Sequence, residues 1–122
     1  MKTPDSEKSS KNKLGWLVEG LGTSLEVGGA AVAIAGAQQA DAPRLVFGGL
    51  AASIGIVTRT GGELLRGAKL TKMNWGLKGL RNISAGVAVG MGYSGEIWGV
   101  VGATSNAVAS ELIRRSELEK DL

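Results

Sequence analysis

Twenty of the 122 residues are glycine, and twelve of those stand inside four long uncharged stretches, where a helix would have to carry them. Average use is about 7%, so glycine is more than doubled here. Only 2 prolines accompany it, which excludes collagen-like repeats and proline-rich spacers. Inside a helix each glycine costs roughly 1 kcal/mol relative to alanine. Such a chain folds only if close backbone packing offsets that cost. Gly86 and Gly90, and Gly95 and Gly99, are spaced four apart, and Gly48 with Ala52 continues a similar ridge in an earlier stretch. These are the expected helix-packing residues. In a bilayer, flat faces of this kind let helices approach and gain dispersion contacts. In water, an Ala/Gly core buries too little apolar area to offset ordering entropy. The expected fold is therefore all-α and membrane-embedded. A soluble Ala/Gly-rich helical interaction or filament protein is the alternative, favoured by a mean hydropathy of only +0.10.

The uncharged stretches are Val27–Ala40, Leu45–Thr58, Asn82–Gly95 and Ile97–Ser110, 14 residues each. A helix of that length covers about 21 Å, short of the ~30 Å hydrocarbon core. Leu14–Ala40 becomes long enough if Glu19 and Glu26 are tolerated, and Asn82–Ser110 if Glu96 is. Three Gly/Ala-rich helices are expected on that basis, with four as the alternative, arranged as helical hairpins. Residues 1–13 read as a disordered polar arm, 14–115 as one helical domain with a basic connector at 59–81, and 116–122 as a charged tail. Asp41 and Pro43 mark a helix start after the first turn. Gly92-Tyr93-Ser94-Gly95 offers a second turn, in which case Glu96 is only a favourable charge at a helix start. Trp16-Leu17-Val18-Glu19-Gly20-Leu21 resembles Trp75-Gly76-Leu77-Lys78-Gly79-Leu80, a weak internal repeat at an offset of 59 residues.

Lys and Arg number 14 against 11 Asp and Glu, a formal charge of +3. The distribution is uneven: Arg59, Arg66, Lys69, Lys72, Lys78 and Arg81 share one segment with Glu63 as its sole acid. Beside apolar stretches, such a segment points to anionic lipid headgroups. It lacks the interleaved aromatics of base stacking, so sequence-specific nucleic-acid binding is not expected. Trp16 and Trp75 follow polar segments as interfacial anchors do. Glu26 and Glu96 are the candidate intramembrane carboxylates, which at that depth suggest an ion path or a paired base. The positive-inside rule puts the N-terminus and the basic connector in the cytoplasm.

His and Cys are both 0. Cysteine or histidine nucleophilic triads and most zinc sites are thereby excluded. Gly20-x-Gly22 and Gly90-x-Gly92 do not complete a dinucleotide loop, and no GKS or GKT string is present. No enzyme activity, cofactor or metal is expected. The functional expectation is a small integral membrane protein that self-associates through small-residue faces, with the lipid bilayer and a homo-oligomer or larger membrane complex as its partners. In layout, a charged arm, short apolar helices and a charged tail resemble phage holins, and that resemblance implies a pore or membrane-lesion former as the alternative role.

Overall fold

The computed structural model describes residues 4–67 and 71–120, with side chains from residue 10 to residue 119. Four α-helices and no strand are found among them: α1 (Pro4–Gln38), α2 (Ala42–Leu65), α3 (Lys72–Tyr93) and α4 (Ile97–Lys120). Four replaces the expected three because Asn82–Ser110 is broken near its centre. Gly95 adopts φ +79°, a left-handed value that glycine takes without strain. The amides of Gly95 and Glu96 donate back to Gly92 and Met91 carbonyls at 3.2 and 2.9 Å, closing α3. Gly95 is thus a turn residue, not the packing residue the sequence suggested.

The other boundaries have equally local causes. Ala40 turns left-handed at φ +53°, and the Asp41 amide donates to the Gly36 carbonyl at 2.8 Å, ending α1. The Asp41 carboxylate then accepts from the Arg44 amide at 3.3 Å and caps α2. Gly67, at φ +72°, follows the last turn of α2. Thr71 caps α3 by accepting from the Asn74 amide at 3.1 Å. Upstream, α1 begins at Pro4, so the polar arm is helical over its described residues. Neither proline nor glycine interrupts the chain between Pro4 and Gly15.

α1 and α2 form one antiparallel hairpin, α3 and α4 a second, and α3 lies parallel to α1. Both hairpin turns meet at one end, where the Gln38 amide donates to Met91 Sδ at 2.8 Å. The α2–α3 connection, the start of α1 and the finish of α4 lie at the opposite end.

The first hairpin is built on a heptad. Gly15, Gly22, Gly29 and Gly36 recur every seven residues in α1, and Gly48, Gly55 and Gly62 in α2. A Cβ at Gly22 would stand 2.2 Å from the Arg59 backbone nitrogen, and one at Gly48 2.3 Å from that of Ala33. The backbones therefore touch. Gly86 and Gly90 bring α3 close to α1 as well, beside Ala30 and Ile34. Gly99 packs on Met91 between α3 and α4. Gly48, Ala52, Gly86, Gly90 and Gly99 thus pack helices within one chain.

Polarity is inverted relative to a water-soluble bundle. Among the described residues the buried apolar side chains are Ala30, Ala35 and Ala52, whereas the largest fully buried ones are Arg59, Glu26 and Glu63. Phe47, Val57, Ile97 and Trp98 are between 73% and 83% exposed. Two helical segments, Ser10–Gln38 and Ala42–Leu65, are long and apolar enough to cross a membrane.

Candidate functional site

Between successive glycines of the heptad stands one further residue on the same face. In α1 these are Glu19, Glu26 and Ala33, and in α2 Ala52 and Arg59; Arg66, the C-cap of α2, continues the same spacing four residues past Gly62. Because the helices run antiparallel, Glu19 and Glu26 each meet a guanidinium, that of Arg66 and that of Arg59. Arg66 gives Nε and Nη2 to the two oxygens of Glu19 at 2.7 and 3.3 Å. One heptad further, Arg59 Nε donates to Glu26 Oε2 at 3.2 Å. Its Nη1 donates to Glu63 Oε1 at 3.3 Å, one helical turn along α2. Glycine makes room for these side chains: the absent Cβ of Gly62 would lie 2.3 Å from the Glu19 nitrogen, and that of Gly55 2.4 Å from the Glu26 nitrogen.

Lys78 fastens α3 to this ladder. Its ammonium lies 2.7 Å from Glu19 Oε1 and 2.9 Å from Glu63 Oε1. Three carboxylates thus face three cations, and the network is formally neutral. Arg59, Glu26 and Glu63 are almost wholly buried, where a charge persists only with close partners. Among the described residues, Glu26 Oε1, Glu63 Oε2 and the buried Asn82 Nδ2 find no hydrogen-bond partner.

A second, more exposed cluster joins α3 to α4. Glu111 accepts from Arg81 Nη1 at 2.8 Å, from Arg114 and from Arg115 Nε at 3.1 Å. Arg81 also gives Nε to Asn82 at 3.0 Å.

Glu26 lies within the ladder and is paired, while Glu96 is exposed at the start of α4, in the turn. The two carboxylates do not share a lumen. Of the residues assigned to headgroups, Arg59 and Lys78 point inward instead, because the α1 and α2 carboxylates draw them into the interior. Arg66 and Arg81 are partly accessible, Lys72 is exposed, and Lys69 lies outside the described residues. Trp16 and Trp75 are both exposed, and each carries a guanidinium near its ring: Arg66 at 4.1 Å and Arg59 at 5.7 Å. Trp75 also donates Nε1 to Thr60 at 2.8 Å. Sequence reasoning passed over Glu19, Glu63 and Glu111 as binding partners. The signal was present: Glu19 and Glu26 are seven apart, as are Arg59 and Arg66.

The cluster can hold helices in register through charge, and at its open side it can offer guanidinium donors to an anion. Among the described residues no group of His, Cys, Asp or Glu is arranged to hold a metal ion. Comparison of the chain with protein-family models, with curated proteins and with solved structures gives no match.

Proposed function

We propose that this chain is a small, non-enzymatic integral membrane protein, a four-helix unit that self-associates as a structural subunit of a membrane-bound assembly. One observation carries the reading: bulky apolar side chains point outward while arginine and glutamate fill the interior. In water that arrangement would leave large apolar patches exposed and surrender most of the hydrophobic driving force. In lipid the outward side chains are solvated, and helix packing rests on small-residue contacts and on internal polar pairs.

The dimensions agree. Trp16 and Trp75 stand toward one end, Tyr93 and Trp98 at the other. Along α3 the 18-residue separation of Trp75 from Tyr93 amounts to about 27 Å, near the hydrocarbon thickness. Aromatic side chains at both levels suit the two interfaces. Arg44 stands at the turn end, whereas the basic residues of α1, of the connection and of the α4 terminus stand opposite. The positive-inside rule then puts both helix termini and the connection on the cytoplasmic side.

Self-association in this reading uses small-residue surfaces not consumed within the chain. A Cβ at Gly49 or Gly102 would meet nothing within 4 Å. Pairing of Glu26 with Arg59 favours a scaffold over a pore, since a channel-lining carboxylate would face water. Extraction of membranes with alkaline carbonate tests the class: the protein is expected in the pellet, and recovery as a detergent-free monomer would overturn the reading. Liposomes carrying the protein are expected to retain an encapsulated dye; release that is lost in Glu26→Gln would favour the pore instead.

A further inference from the structure

A cavity of about 470 Å³ opens between α1, α3 and α4 at the end away from the hairpin turns, with Trp16, Glu19, Arg66, Lys78, Arg81 and Arg114 on its walls. Four cationic side chains and one carboxylate therefore border the same space. Glu19 is already engaged by Arg66 and Lys78. On the α3–α4 side, Arg81, Arg114 and Arg115 share the single Glu111 carboxylate, and each of its oxygens already accepts two hydrogen bonds. A guanidinium has five N–H groups. Arg81 spends one on Asn82 and one on Glu111, and Arg66 spends two on Glu19, so both retain donors for another acceptor.

We infer that this cavity binds the phosphate group of an anionic lipid. Planar guanidinium forks suit the paired non-bridging oxygens of a phosphodiester, and several of them converging give more than one charge-assisted bond. The side chains are held in place by the ion pairs already described, so little entropy is lost on binding. Trp16 and Leu118 supply an apolar wall beside the cations. A choline headgroup covers its phosphate with a cation that this cavity would repel, which selects headgroups of net negative charge. The lipid as source rests on the membrane reading above; phosphate recognition rests on the cavity alone.

The test uses the full chain as a Trp75→Phe, Trp98→Phe variant, leaving Trp16 as the fluorescent reporter. It is reconstituted into phosphatidylcholine vesicles containing increasing fractions of phosphatidylglycerol, and in a parallel arm into phosphatidylcholine vesicles with inorganic phosphate added. A saturable change in Trp16 emission with phosphatidylglycerol is expected. Arg81→Gln with Arg114→Gln should raise the half-maximal lipid fraction about tenfold, the loss expected for a charge-assisted bond. Arg81→Lys, which keeps the charge and loses the fork, should fall between. Lys72→Gln, at an exposed position outside the cavity, should respond as the parent does. An equal loss in Lys72→Gln would reduce the effect to general surface charge and overturn the site. A response to inorganic phosphate but not to phosphatidylglycerol overturns the lipid source. No response in either arm, with the protein still in the vesicle pellet, overturns the site and leaves the membrane reading standing. Protein absent from the pellet overturns the membrane reading, and titration with inorganic phosphate in water then decides the cavity by itself.

Discussion

At position 22 the smallest side chain is the one that fits, since any Cβ would press to 2.2 Å from the Arg59 backbone nitrogen. Backbone cannot swing aside as a flexible side chain can. Gly22→Ala is therefore expected to destabilise the hairpin by about 1–3 kcal/mol, the usual cost of overpacking. Two residues earlier, Gly20 meets nothing within 4 Å. There the better helix propensity of alanine acts alone, and Gly20→Ala should add up to about 1 kcal/mol. Denaturant unfolding in detergent micelles reads both; equal effects would refute the close approach.

Each element joins glycine contacts to charge pairing, and the sequence disclosed one more readily than the other. Small-residue packing was legible at Gly48, Ala52, Gly86, Gly90 and Gly99, because four-residue spacing is a local signal. Pairing across α1 and α2 was hidden, because Glu26 and Arg59 are 33 positions apart and reveal their relation only when two heptads are set antiparallel. Gly95 misled for a related reason: four-residue spacing to Gly99 looks the same whether the backbone is helical or turning left-handed. The ladder makes Arg59 the residue on which α1 and α2 most depend. Arg59→Met leaves the Glu26 carboxylate buried without a partner, and breaking such a pair from one side costs about 3–5 kcal/mol. Glu26→Gln on that background should recover much of the loss, because an amide avoids the penalty of a lone buried charge. A double-mutant cycle measures the coupling; additive losses would show that the two side chains act independently.

For the molecule as a whole, the even number of helices matters more than their individual lengths. Three spans would put the finish of the last helix across the membrane from the start of the first. Four place them together, with Gln39 and Glu96 in turns at the opposite end. In the proposed crossing arrangement the two hairpin turns stand on one side of the bilayer and the finish of α4 on the other, so sidedness tests it. The chain has 0 cysteines, so a single introduced thiol reports its own position without further engineering. Gln39→Cys and Ser116→Cys are both at exposed positions, one in the first turn and one near the finish of α4. In sealed cells a membrane-impermeant maleimide is expected to label Gln39→Cys from outside, and Ser116→Cys only after the membrane is opened. Labelling of both from the same side would rule out crossing. Protection of Gln39→Cys with labelling of Ser116→Cys would keep the four-helix crossing and reverse its orientation, setting the charge bias along the chain against the observed insertion.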